Sequence, residues 1–401
     1  MPLSREQLDA LSLASRGVHA GSHTDPGNAI PTVPPLHLAS AFAYPTTEEL
    51  DEVFEDNSKG YVYSRMANPT IRTLEDAIAA IEGTEYAVAY ASGMAAIHGV
   101  ITGLVPPGST VLASQDMYGA TYALLTGYLA ELGITTVMVD ASNPDEVTAR
   151  IAEHKPAVLY LESISNPLIR VCDIRTLATI AHDAGARLVL DNTFASPTVV
   201  NGPSLGADVV IYSSTKHLAG HGDSTGGIVA TSNDIAQRLL TNRKFVGGVL
   251  SPFDAWLTLR GLRTLDLRVR RQCENAREVA TWLTGHARVG RVYYPILETA
   301  LPEGQFTPGL YGTMLAFEID GASRADAFRF QDALQMIQPA TTLGDVQSLV
   351  LHPATTSHRP LDDRTRKSIG ITEGLIRLSA GIESAADIIA DLDHALNATA
   401  H

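Results

Sequence analysis

The sequence predicts an α/β fold: a mostly parallel sheet covered by helices on both faces, followed by a smaller α+β unit. Two observations in the middle of the chain predict the first part. Between about residues 84 and 231, short runs apolar on both faces alternate with helical patterns, as strands buried within a parallel sheet require. The connecting stretches carry helical periodicity; in Ile174–Asp183, Ile174, Leu177 and Ile180 fall on one face. A third observation predicts the second part: after Pro252 a long helical pattern over 254–283 gives way to fewer, shorter strand patterns.

Taken in order, the strands expected of the large sheet are Tyr86–Tyr90, Thr110–Ser114, 135–140, 157–162, Arg187–Asp191, 209–213 and Gly227–Thr231. The later strands are 289–294, Met314–Ile319 and 375–378, with a closing helix over Ala385–Ala398. Before residue 60, Pro26, Pro31, Pro34, Pro35 and Pro45 argue for an extended arm, preceded by a short amphipathic helix near the N-terminus. The expected organisation is therefore an arm over 1–60, a large α/β domain over 61–253, and a linking helix with the smaller domain over 254–401.

The bulk composition excludes several functions. With 401 residues, 45% hydrophobic and 18% charged, the chain has the makeup of a globular enzyme. A net charge of -15 argues against nucleic acid or an anionic membrane as a partner. Two cysteines, Cys172 and Cys273, are too few for a disulfide framework or a thiolate metal site, so no metal is expected. The longest apolar stretch, 86–105, is interrupted by Ser92, Gly93, His98 and Gly103 and ends at Pro106-Pro107-Gly108. That is a strand-turn-helix pattern rather than a membrane span. Nothing near the N-terminus has the apolar core of a signal peptide, and a cytoplasmic protein is expected.

The chemistry is concentrated in residues 208–225, DVVIYSSTKHLAGHGDST: an apolar strand, three hydroxyls, Lys216, then a glycine-rich loop. A lysine at the end of a buried strand is costly unless it is paired or neutralised. One strand earlier, Asp191 ends the apolar run Arg187–Asp191 in the same way. In a doubly covered parallel sheet both side chains reach the carboxyl ends of the strands, where ligands bind. A strand-end amine and a strand-end carboxylate meet the needs of pyridoxal phosphate. The amine condenses with the aldehyde, and the carboxylate keeps the pyridine nitrogen protonated. Ser213-Ser214-Thr215-Lys216 also matches the S-x-x-K motif of serine acyl-transfer enzymes. Their S-D-N and K-T-G companions do not occur here, and Ser232-Asn233-Asp234 has the wrong order.

Other residues supply what such a cofactor needs. Ser92-Gly93-Met94 follows a strand and opens a helix, so its backbone N–H groups face a potential anion site, with Ser213 and Thr215 adding hydroxyls. Tyr118 follows the strand Thr110–Ser114, which puts an aromatic ring at the same sheet edge. Tyr63 and Arg65 offer a phenol and a guanidinium just before a helix start. Arg377 alternates with apolar neighbours on a late strand, where an arginine needs a carboxylate: one from an amino-acid substrate, or one within the protein.

With these residues assembled, the chain resembles the Cys/Met-metabolism family of pyridoxal phosphate enzymes, the group of cystathionine γ-lyase, cystathionine γ-synthase and methionine γ-lyase. The likeness runs from His19-Ala20-Gly21 to the closing helix. It rests on YSRMANPT, YASGMAAI, DNTFASP, SSTKHLAGHGD, SPFDAWLTLRGLRTLDLR, LGDVQSLVLHPATTSHR and GLIRLSAGIE.

The resemblance implies a type I PLP-dependent transferase fold and a homotetramer built as a dimer of active dimers. It implies Lys216 as the covalent anchor and proton shuttle, Asp191 at the pyridine nitrogen, and Tyr118 stacked on the ring and acting as acid toward the leaving group. Gly93, Met94, Ser213 and Thr215 would bind phosphate, with Tyr63 and Arg65 donated by the neighbouring subunit. Asn166, Thr342 and Arg377 would bind the amino-acid substrate.

Within the group, Gly220-His221-Gly222-Asp223 resembles methionine γ-lyases, and Thr341 stands where cystathionine γ-lyases carry glutamate. Ala120 and Arg243-Lys244-Phe245 depart from the methionine γ-lyase pattern, and the stretch His352 to Arg359 is equally at home in O-acylhomoserine sulfhydrylases. The expectation is γ-elimination on methionine. Sulfhydrylation of an O-acylhomoserine and γ-elimination on cystathionine are the alternatives.

Overall fold

A computed structural model describes residues 3–21, 31–55, 60–298, 301–359 and 362–398; Pro26 of the expected arm lies outside them. Strands β1 (Tyr86–Tyr90), β2 (Thr110–Ser114), β3 (Thr135–Val139), β4 (Val158–Glu162), β5 (Arg187–Asp191), β6 (Val209–Tyr212) and β7 (Gly227–Thr231) form one sheet in the order β1-β7-β6-β5-β4-β2-β3. β7 runs antiparallel to both its neighbours, β1 and β6, and the other adjacent pairs are parallel. β4, β6 and β7 are buried along their whole length. Separate apolar clusters lie on the two faces of the sheet. The α/β expectation is borne out, and the strands fall within a residue of their predicted ends.

The second sheet has five strands in the order β10-β11-β12-β9-β8: β8 (Val289–Tyr293), β9 (Met314–Ile319), β10 (Gln338–Pro339), β11 (Leu349–Leu351) and β12 (Leu375–Ser379). Its own apolar cluster includes Phe317, Phe330 and Ile376 beneath the helix Ala385–Ala398. β10 and β11 lie outside the strands expected from the sequence. They are two and three residues long, and β10 contains a proline, which has no ladder donor and suits only an edge.

Two further expectations are corrected. The long helix over 254–283 is broken into Pro252–Leu262 and Leu265–Thr284. Arg268, only 4% exposed, bridges the break. Its guanidinium donates to the Gly261 carbonyl (2.8 Å) that ends the first helix and to the His217 carbonyl (3.0 Å) beside Lys216. The arm before residue 60 contains helices Arg5–Asp9, Leu13–His19 and Thr47–Glu55. Ser4 and Ser12 cap the first two, accepting from Gln7 N and Ser15 N, and this second cap splits the single helix expected near the N-terminus.

The outer edge of β1 is closed by a buried ion pair. Glu75, from the helix Pro69–Glu82, accepts from Ala89 N (2.9 Å), and Arg243, from the helix Asn233–Val246, donates to Ala89 O (2.6 Å). The two side chains meet at 2.7 Å, each about 3–4% exposed. Together they satisfy the outward N–H and C=O of Ala89, groups that an open edge would offer to another strand. Arg243 is thus committed to the fold. Glu75→Ala, which leaves a buried guanidinium unpaired, is expected to cost about 3–5 kcal/mol in urea unfolding. A loss below about 1 kcal/mol would show that this edge closure contributes little.

Candidate active site

The carboxyl ends of β4, β5 and β6 open into a cavity of about 530 Å³. Ser92, Gly93, Met94, Tyr118, Asn166, Asp191, Ser213, Thr215, Lys216 and Arg377 line it, so most of the residues singled out in the sequence meet there. Thr342 joins them through a hydrogen bond from Lys216 Nζ to its Oγ1 at 2.7 Å. Burial and, secondarily, the Arg377 charge pull the lysine down to about 8.

Asp191 ends β5 and turns into the cavity. Its Oδ1 accepts from Thr193 N (3.0 Å) and its Oδ2 from the Tyr160 hydroxyl (3.2 Å). Desolvation raises its pKa against those two hydrogen bonds. Among the described residues it forms no ion pair, so a cation entering the cavity would find a carboxylate without a counter-charge.

Gly93 opens the helix Gly93–Leu104, which Ser92 caps by accepting from Ala95 N at 3.1 Å. The helix start and the lysine loop approach so closely that a Cβ on Gly93 would lie 2.9 Å from Ser213 Cβ. A Cβ on Gly227, at the start of β7, would lie 2.2 Å from the Ser92 carbonyl oxygen. These contacts leave first-turn N–H groups and the Ser213 and Thr215 side chains along one wall, a cradle suited to a phosphate.

Arg377 reaches the cavity from β12. It donates to Asn166 Oδ1 (3.0 Å) and to the Thr342 carbonyl (3.2 Å), and its carbon Cζ lies 5.6 Å from the Phe194 ring centroid. Among the described residues its buried Nε has no partner, and burial pulls the group down to about 10. A carboxylate would complete this fork.

Tyr63 and Arg65 are not brought to the cavity. Tyr63 is 44% exposed, and Arg65 donates to the Lys244 carbonyl at 2.6 Å. Sequence reasoning also missed residues. Glu162 lines the cavity at the end of β4, in register with Asp191 on β5. A charge ending an apolar run was the signal that found Asp191, and VLYLE carries the same signal. Tyr160, inside β4, had no such mark.

An amine lowered by burial, an unpaired carboxylate, a phosphate cradle and an open arginine fork fit the aldehyde, pyridine and phosphate of pyridoxal phosphate together with an amino acid. Fold and site thus define an α/β enzyme that uses pyridoxal phosphate on an amino-acid substrate. The sequence pattern of the Cys/Met metabolism PLP-dependent enzymes matches residues 14–397, and the chain belongs to that family.

The chain is 39% identical over 396 residues to the L-methionine gamma-lyase of Pseudomonas putida, covering 96% of this chain and 98% of that one. It is 39% identical over 368 residues to the O-succinylhomoserine sulfhydrylase of Pseudomonas aeruginosa, covering 90% of each. The crystal structure of cystathionine gamma synthase from Xanthomonas oryzae pv. oryzae in complex with aminoacrylate and cysteine superimposes with a TM-score of 0.90 at 36% identity, covering 97% of this chain and 98% of that one. Among the described residues, no helix is long and apolar enough to cross a membrane.

Proposed function

We propose that the protein catalyses γ-elimination on L-methionine, with water, to give methanethiol, 2-oxobutanoate and ammonia. The observation that carries this reading is the meeting of Lys216, Asp191 and Arg377 at one cavity. Bound there, pyridoxal phosphate supplies an electron sink that acidifies the substrate's Cα and Cβ protons. Gly93, Met94, Ser213 and Thr215 would hold its phosphate, and Asp191 would keep its pyridine nitrogen protonated. Arg377 and Asn166 hold the substrate carboxylate. Lys216 Nζ, held by Thr342, moves protons between the substrate carbons, and burial, which lowers it to about 8, leaves more free base near neutral pH than an exposed lysine has. Tyr118 would stack on the ring and give its phenolic proton to the departing sulfur.

Methionine suits the cavity because its charged residues, Glu162, Asp191, Lys216 and Arg377, all have these tasks or are held by backbone amides. The remaining wall combines Ile97, Ile164, Leu343 and Leu351 with the hydroxyls of Thr341, Thr355, Thr356 and Ser357, and among the described residues it holds no further charge to meet the second amino-acid head of cystathionine. The purified holoenzyme with methionine alone should release 2-oxobutanoate. If it releases none yet joins sulfide to an O-acylhomoserine, γ-replacement is the function, as the sulfhydrylase likeness would favour. Turnover of cystathionine alone would mark a cystathionine γ-lyase. Cys172 and Cys273, both buried free thiols, suit a reducing cytoplasm.

The same reading assigns Tyr63 and Arg65 to the phosphate of a neighbouring subunit, in a homotetramer made of two active dimers. A mixture of Lys216→Ala and Arg65→Ala proteins, unfolded and refolded together, should then recover about a quarter of wild-type activity, because each mixed dimer holds one intact site of two. A site completed within one chain would recover nothing.

A further inference from the structure

We propose that Glu162 is a positioning residue that fixes the Tyr118 turn and the Asn166 turn around the reacting centre with a single carboxylate. The proposal rests on the roles given above to Tyr118 and Asn166. Glu162 is 8% exposed, and among the described residues it has no ion pair. Both its oxygens instead take backbone amides: Oε1 accepts from Tyr118 N at 2.6 Å and Oε2 from Asn166 N at 3.2 Å. The two amides belong to segments that follow different strands, β2 and β4, which are neighbours in the sheet.

The need for an acceptor is visible at each end. Tyr118 stands at the N-cap of the helix Gly119–Ala123 with no side-chain cap, so Glu162 supplies the acceptor for its own N–H from another strand. Asn166 passes the constraint on, because its Oδ1 accepts from Arg377 at 3.0 Å. One carboxylate thereby sets the phenol that faces the leaving group and the amide that orients the carboxylate fork. A buried carboxylate is an expensive choice for a purely structural brace. Burial and the adjacent Asp191 hold Glu162 well above the usual carboxylate range, and a cationic ring beside the pair would offset that repulsion.

The test compares Glu162→Gln, Glu162→Asp and Glu162→Ala holoenzymes with wild type, reading kcat and KM separately, the visible circular dichroism of the bound cofactor, and Tm. A glutamine has one acceptor oxygen and keeps the shorter Tyr118 contact, so KM should rise roughly tenfold with kcat within about threefold. Alanine leaves both amides unsatisfied. It should lower kcat and raise KM together, with kcat/KM down about a hundredfold and the dichroism diminished. Aspartate, too short to span both amides, should fall between them and support the same conclusion if the alanine protein does not fold.

Variants that lose only Tm, with kcat, KM and dichroism within about twofold of wild type, would overturn the positioning role and leave the proposed function standing. Wild-type protein that binds cofactor but turns over no amino acid would overturn both.

Discussion

Replacing Lys216 by alanine is expected to abolish covalent capture of pyridoxal phosphate and to lower turnover by about 10⁴-fold or more. Among the described residues no other lysine lines the cavity, so none of them offers a second amine to take over. The sign of the pH dependence follows from the same environment. Burial lowers this amine to about 8, so it is mostly protonated and non-nucleophilic below that pH. Stripped wild-type protein should therefore capture free cofactor faster as pH rises through about 8, and level off above it. An exposed lysine would not reach its plateau until above about 10.4. Stopped-flow absorbance measures both effects. Persistent turnover in Lys216→Ala, or a capture rate flat between neutral pH and 9, would contradict the assignment.

The second large effect is expected at Asp191. Asparagine preserves the shape and the acceptor for Thr193 N but removes the charge proposed to meet the ring nitrogen. Removing one partner of a buried charge pair costs about 2–5 kcal/mol. That corresponds to roughly 30-fold to several-thousand-fold in kcat. Cofactor affinity should weaken as well, and fluorescence titration of the stripped protein reads that directly. A kcat within about threefold of wild type would remove Asp191 from the role.

Much of this architecture is legible without coordinates because the large sheet is buried on both faces. Strands such as β4, β6 and β7 are then written as unbroken apolar runs, and Asp191 and Lys216 stand out as charges just beyond them. Arg377 is visible for a related reason, as a charge alternating with leucine and isoleucine.

What the sequence hides depends on distant contacts. The break between the helices Pro252–Leu262 and Leu265–Thr284 is bridged by Arg268 reaching back to Gly261, and nothing in the local pattern marks it. The commitment of Arg243 to Glu75 appears only when two helices meet over Ala89. Glu162 was legible in principle, but its meaning comes from amides on two separate turns. Tyr63 and Arg65 show the limit from the other side: their motif is plain in the chain, while one subunit alone gives them no place at the cavity.

The seating of β7 has a consequence for how the protein matures. Residues 227–231 must insert between β6 and residues 86–90, and only then does Gly227 press against the Ser92 carbonyl and complete the cradle. Pairing of segments so distant in sequence is slow, since the entropy of closing the intervening chain is lost before the contact forms. The ability to retain cofactor should thus appear among the last events of refolding, after most helical signal has returned.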